Sequence, residues 1–431
     1  MIARRSCHTQ FAAGNDEMQG AVQDPTVLDN REFGPTWIAA CVVLPALALA
    51  FPFLLDKITD FSISAEERQQ YIITLLLGKR VYLYSLALVA LDWCAKRSEE
   101  MADLPLGERL RLINEGMLGS SSEEIKEANR EVYASLDEVD GRQQAAALPL
   151  VLIVSLLVSF AFLQVSSTIT LAESPSAFSF PEFLNALTLL SNGAVCLFFT
   201  KVELERAMGG PARATLGAAL VLTAATLGGI GSAAWPIQNV INFCICVTAS
   251  RLLSLSKLSS VIIALVGLTL YDVIGVVGTA QLSDNGQSIM EAVARAKFST
   301  SDGLAAGTAA GTAGATAAAA VTAAVTNWSA WRPGLVEVVV GGRVTDALGL
   351  GDIIFPALLA GWCLHFDKLQ GSTRPLYKSC LFGYAGGSLL SELFQSEGGG
   401  QPQLLFLVPS MLLAVLLTGL KENKLSKMME I

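Results

Sequence analysis

Residues 258–277 read LSSVIIALVGLTLYDVIGVV. At 1.5 Å per residue this stretch makes a helix about 30 Å long, the thickness of a bilayer's hydrocarbon core. Asp272 is its one charged residue. A second such stretch, residues 347–366, reads ALGLGDIIFPALLAGWCLHF and carries one carboxylate, Asp352. An ionisable side chain inside a span is costly and calls for a function. The bland alternative is a polar group that ties helices together.

The whole chain fits a membrane setting. It has 431 residues, of which 52% are hydrophobic and 16% charged. Soluble domains carry about 25% charged residues, so this chain lacks the charge to coat a soluble surface. Its mean hydropathy is +0.51. The net charge of −9 excludes nucleic acid as a partner, because phosphate binding needs a basic face. Two histidines exclude a histidine-rich metal site. Most of the eight cysteines lie in apolar runs, where a free thiol behaves as a small hydrophobe rather than part of a disulfide framework.

The expected fold is an all-α polytopic membrane protein with nine transmembrane helices. The spans are Pro35–Leu55, Ala145–Thr168, Pro181–Thr200, Ala212–Ile230, Pro236–Ser250, Leu258–Val277, Ala347–Phe366, Leu376–Phe394 and Leu404–Leu420. A tenth apolar stretch, Tyr71–Cys94, is doubtful. Lys79 and Arg80 sit near its middle, and each costs roughly 2.5–3.5 kcal/mol at the bilayer centre. It reads as interfacial or loosely inserted. The first span follows more than thirty mostly polar residues and reads as a retained helix rather than a cleaved signal peptide.

Basic residues give the orientation. Lys201 and Arg206, Arg251 and Lys257, Lys368 and Arg374, and Lys421, Lys424 and Lys427 fall in alternate loops and the tail. The intervening loops 171–180, 231–235 and 395–403 hold no Lys or Arg. The positive-inside rule then puts the C-terminus in the cytosol, and nine spans put the N-terminus outside. The organisation follows: an exoplasmic segment 1–34, membrane helices in 35–230 with a long cytosolic loop 56–144, helices in 231–280 carrying Asp272, an exoplasmic loop 281–346, helices in 347–420 and a tail 421–431. Within 281–346, Gly303–Val325 is a Gly/Ala/Thr spacer, Asn327-Trp328-Ser329 is a glycosylation sequon, and Val336–Val344, broken by Gly341-Gly342, signals a hairpin. Ser121–Leu136 reads as a solvated cytosolic helix.

The two acids match in depth. Asp272 lies fifteen residues after Lys257, and Asp352 lies fifteen before Asp367 and sixteen before Lys368. On antiparallel helices both sit roughly 22–24 Å from the inner boundary, nearer the outer face. Two carboxyls sharing a site cannot both ionise comfortably, so the pair holds one proton. One can take a proton from water while the other donates to a carbonyl oxygen, which is the general acid–base chemistry of peptide hydrolysis. Gly349 and Gly351, just before Asp352, permit close backbone approach and an opened substrate helix. They also fit plain small-residue packing, as do Gly383, Gly386 and Gly387 on the eighth span.

Tyr271-Asp272, Gly349-Leu350-Gly351-Asp352 and Gln401-Pro402 followed by Leu404-Leu405-Phe406-Leu407-Val408-Pro409 occur in that order. The pattern resembles signal peptide peptidase and the signal-peptide-peptidase-like proteins, which are presenilin-related intramembrane aspartyl proteases. Ser288-Ile289-Met290 with Val293-Ala294, Asp352–Pro356, Phe366-Asp367 and Trp235–Leu255 extend the likeness over residues 235 to 420. The resemblance implies nine spans and a catalytic dyad of Asp272 and Asp352. It implies that Tyr271 packs beside the dyad and that Gly349 and Gly351 shape the cleft. Pro402, Gln403 and Leu404 take the family's Pro-Ala-Leu position, which binds substrate. The Val-rich stretch before Gly349 would pair with an extended substrate by strand addition. Two departures stand out: Gln403 replaces the family's alanine, and Val273–Val277 lacks the usual aromatics.

The implied function is cleavage of transmembrane segments of type II membrane proteins or remnant signal peptides. It would use water and no cofactor or metal, in the endomembrane system (endoplasmic reticulum, Golgi or endosome and lysosome). Partners would be those helices, the bilayer and a second copy of the chain in a homo-oligomer. Two rivals remain: a proton- or ion-coupled transporter using the two acids, though the halves show no repeat, and a catalytically weak member that binds membrane helices. His365 precedes Ser388, the wrong order for a rhomboid-like serine protease, and no His-Glu-x-x-His is present.

Overall fold

The computed structural model describes residues 50–59, 64–118, 134–136, 141–170, 194, 197–201, 203–204, 212–227, 235–282, 288, 334–340, 343–394 and 401–430. Most of Pro35–Leu55, Pro181–Thr200, Ser121–Leu136 and the 281–346 loop, including Asn327 and the Gly/Ala/Thr spacer, lies outside these residues. The helices are α1 (Ala50–Thr59), α2 (Ala65–Glu99), α3 (Leu106–Leu118), α4 (Gly141–Thr170), α5 (Ala212–Leu227), α6 (Trp235–Leu252) and α7 (Leu258–Val273). The π-helical turn Ile274–Gly278 continues α7 into α8 (Thr279–Leu282). A hairpin of β1 (Leu335–Val340) and β2 (Arg343–Gly349) precedes α9 (Gly351–Leu369), α10 (Pro375–Leu393), α11 (Leu404–Lys421) and α12 (Leu425–Glu430).

The described part is mostly helical. Among the described residues, three helices are long and apolar enough to cross a membrane: Ala65–Glu99, Leu258–Gln281 and Leu404–Lys421. The first corrects the sequence reading, because it contains Tyr71–Cys94. A capping box at its start, Ser64 with Glu67, satisfies the first free backbone donors. Leu83, Ala87, Ala90, Leu91 and Cys94 recur at helical spacing and are all buried. This face packs against α9 and α6, so closely that a Cβ on Gly361 would meet Ser98 Oγ at 2.7 Å.

The two basic residues that argue against a span are matched by acids. Lys79 Nζ lies 2.7 Å from Asp346 Oδ2, with side chains only 10% and 18% exposed. Arg80 pairs with Glu392, which also accepts from the Tyr84 hydroxyl. A charge with an opposite partner is far less costly in apolar surroundings than a lone one. Hydropathy cannot register this, because Asp346 is 267 residues away. The stretch 56–144, expected as one long loop, therefore holds a 35-residue helix.

Other elements follow from local chemistry. Gly341-Gly342 separates two strands that pair antiparallel, Leu335 opposite Gly349 and Val338 opposite Asp346, with a bulge between Val338 and Val339. Pro375 opens α10, where its missing N–H costs nothing. The buried Asp367 carboxylate accepts from Tyr377 N–H at 2.9 Å and from Ser372 Oγ at 2.9 Å, fixing the turn between α9 and α10. Outside the spans, Arg109 of α3 donates to the carbonyls of Leu104 and Ser254, and burial pulls its pKa down to about 10.

Helices α10 and α11 pack closely against each other. A Cβ on Gly383 would meet Met411 Cα at 2.6 Å, and one on Gly387 would meet Leu407 Cα at 2.9 Å, whereas Gly386 faces open space. Gly383→Leu and Gly387→Leu should each destabilise the bundle by about 1–3 kcal/mol through overpacking. Gly386→Leu should be neutral. Thermal unfolding in detergent measures the difference.

Candidate active site

Asp272 comes from the last turn of α7, directly before the π-helical turn Ile274–Gly278. Such wide turns occur most often at functional sites. Asp352 comes from the first turn of α9. Helices α7, α9 and α11 pack together, and the two carboxylates lie close enough to sense each other's charge. The third participant is backbone. Leu404 N–H donates to Asp272 Oδ2 at 3.0 Å. Leu404 is the first residue of α11, so its N–H has no partner within its own helix and is free to serve the carboxylate.

The glycines stand where side chains would intrude. Gly349 ends β2, and a Cβ there would meet Asp352 Oδ2 at 3.1 Å. A Cβ on Gly351 would meet the Phe355 ring at 3.0 Å. Pro402 is buried, and Gln403 is half-buried and caps α11 with no side-chain bond. Gln401 Nε2 donates to Ser391 O at 3.2 Å, tying this turn to the end of α10. The departure at Gln403 leaves the backbone contact of Leu404 in place. Tyr271 is half-buried beside Asp272. Ser288 is buried, while Ile289, Met290, Val293 and Ala294 lie outside the described residues.

All eight residues singled out in the sequence thus surround one place, at the junction of α7, β2, α9 and α11. Sequence reasoning misses three others. Tyr384 of α10 is fully buried, hydrogen-bonds Ser388 and lies within electrostatic reach of Asp352. Asn239 of α6 and Lys79 of α2 hold the hairpin. Tyr384 follows Gly383 in an unremarkable apolar span, so no sequence signal marks it. His365 lies at the other end of α9, with Nε2 3.3 Å from Asp103 and Nδ1 3.9 Å from Glu99. Among the described residues, no group of three His, Cys, Asp or Glu side chains is placed to hold a metal ion.

The model of the signal peptide peptidase family matches residues 134–431. This chain belongs to that family. Signal peptide peptidase-like 2A of Homo sapiens is 29% identical over 195 residues, covering 45% of this chain and 34% of that protein. Signal peptide peptidase-like 2B of Homo sapiens is 28% identical over 180 residues, covering 41% and 27%. Signal peptide peptidase-like 3 of Oryza sativa subsp. japonica is 35% identical over 86 residues, covering 19% and 16%. The chain thus spans about a third or less of the length of these relatives. No solved structure matches. Membership makes the chain a polytopic membrane protein.

The contact of Gly349 with Asp352 yields a prediction. Gly349→Ala should displace the carboxylate by a few tenths of an ångström and lower proteolysis. Gly349→Val should lower it further, towards the roughly 10²-fold loss that a misplacement of about 1 Å brings. Cleavage of a membrane-anchored reporter, normalised to expression, measures both.

Proposed function

We propose that this chain is an intramembrane aspartyl endopeptidase whose catalytic pair is Asp272 and Asp352. The observation that carries the reading is the convergence of the two carboxylates with the Leu404 N–H on Asp272. One carboxylate, ionised, takes a proton from water as the water oxygen attacks the scissile carbonyl carbon. The other, protonated, donates to the carbonyl oxygen. The tetrahedral diol then collapses as the newly protonated carboxyl donates to the amide nitrogen, the other carboxylate takes a proton back from a diol hydroxyl, and the C–N bond breaks. The Leu404 N–H holds the Asp272 carboxylate in place, and the two carboxyls share one proton as a pair. Tyr271, Gly349 and Gly351 shape the cleft, and Pro402, Gln403 and Leu404 hold substrate. No metal or cofactor takes part.

The substrates are transmembrane segments of type II proteins or remnant signal peptides, opened into an extended form beside β2. The free edge of β2 supports this. Asn242 and Asn239 bond outward-facing groups of Leu335 and Glu337 on β1. In an antiparallel ladder the opposite residues, Gly349 and Ala347, then also face outward. Ala347 is exposed, and among the described residues no further strand pairs with β2.

Nine spans follow if α2 is the first and Pro35–Leu55 precedes the bundle. Lys368 bonds Glu99 at 2.9 Å while Asp346 bonds Lys79, so α2 and α9 run parallel. With Lys368 marking the cytosol, Ser64 is exoplasmic, and α7 and α9 are the sixth and seventh spans. The chain resides in the endomembrane system. Its domain limits stay as proposed from sequence, apart from the loop 56–144 and the place of Pro35–Leu55.

Asp272→Asn and Asp352→Asn should each abolish cleavage of a type II reporter with expression unchanged. An aspartyl-protease transition-state analogue should label the native chain and neither variant. Normal cleavage by either variant overturns the assignment.

A further inference from the structure

A two-stranded hairpin has two open edges, and a substrate strand can join either one. Here β1's edge is occupied by side chains. Asn239 is 2% exposed and sits between three elements. Its Nδ2 donates to Glu337 O at 2.8 Å and to Tyr82 Oη of α2 at 3.1 Å, and its Oδ1 accepts from Glu337 N–H at 2.9 Å. One carboxamide thus meets both backbone groups of one residue, as a neighbouring strand would. Three residues along α6, Asn242 Nδ2 donates to Leu335 O at 2.6 Å. The other strand is held from α2, where Lys79 bonds Asp346, the neighbour of Ala347.

The chemistry of these bonds points to alignment. The Lys79–Asp346 pair is nearly buried, and a buried ion pair adds little stability over an apolar pair of the same volume. What it does supply is a single register. Asp346 pairs with Val338 directly beside the bulge between Val338 and Val339, so the ion pair fixes β2 at the point where the ladder's register changes. Gly349 lies only three residues beyond Asp346 and touches Asp352, so any slide of β2 carries its edge past the carboxylate.

We infer that Asn239 and Lys79 are positioning residues that select the substrate bond to be cut. Asn239, helped by Asn242, closes β1's edge and leaves β2's edge as the docking edge. Lys79, through Asp346, holds Ala347 at a fixed station relative to Asp352. This rests on the intramembrane protease reading. Because a one-residue slip would turn every side chain to the opposite face, the slip that survives loosening is of two residues.

The test compares the native chain with Asn239→Leu and Lys79→Met in detergent, on a type II reporter. Product termini are read by mass spectrometry, and the transition-state analogue reports whether the dyad is assembled. The expected result is retained labelling with cleavage sites displaced by two residues or spread over both registers. Lys79→Asp should also displace them, and adding Asp346→Lys should restore the native sites. If Asn239→Leu fails to fold, Asn242→Ala, which removes one bond, takes its place. Slower cleavage at unchanged sites in every labelled variant overturns the inference and makes the clamps merely structural. A native chain that is neither labelled nor able to cut overturns the protease reading itself.

Discussion

In apolar surroundings a charge must be met by a partner, and that requirement organises this structure. Lys79 meets Asp346, Arg80 meets Glu392, and the buried Arg251 meets the buried Glu203 at 2.7 Å. Asp367 is met by a backbone N–H and a hydroxyl. Each of the three ion pairs joins residues distant in sequence, so compensating charge also assembles the bundle. Asp272 and Asp352 are arranged differently, carboxyl beside carboxyl, with a backbone donor on each, Leu404 on Asp272 and Gly349 on Asp352, and, among the described residues, no cation between them. A protein gains no stability from such an arrangement. It is the kind of local cost that chemistry explains.

Helix α2 links the two patterns. Its buried face supports α9, which carries Asp352, while Tyr82 reaches Asn239 and Lys79 reaches Asp346. The hairpin is therefore held to the same helix that backs the Asp352 helix. The π-helical turn after Asp272 and the glycine before Asp352 then loosen regular structure at the acids. Rigid support around a locally irregular backbone suits a site where an extended segment must enter.

Some of this is legible along the chain. The apolar runs around Asp272 and Asp352 are long enough to read without a structure, and the Gly341-Gly342 break separates two strands as expected. Tyr71–Cys94 misleads, because hydropathy charges Lys79 and Arg80 as isolated ions while the fold pairs them with Asp346 and Glu392. Asn239 escapes notice for a related reason. A single asparagine in a helix has no pattern, and its meaning lies in the strand edge that it covers.

The sequence by itself determined which segments are apolar, where the two acids fall along their helices, and the family to which the chain belongs. Those are properties of composition, spacing and motif order, and they survive without contacts. Only the tertiary structure decided that Leu404 N–H reaches Asp272, that Gly349 rests against Asp352, and that α2 stands within the bundle. A backbone N–H is the same in every residue but proline, and an ion pair between residues 79 and 346 exists only once the chain has folded, so neither leaves a mark that a linear reading detects.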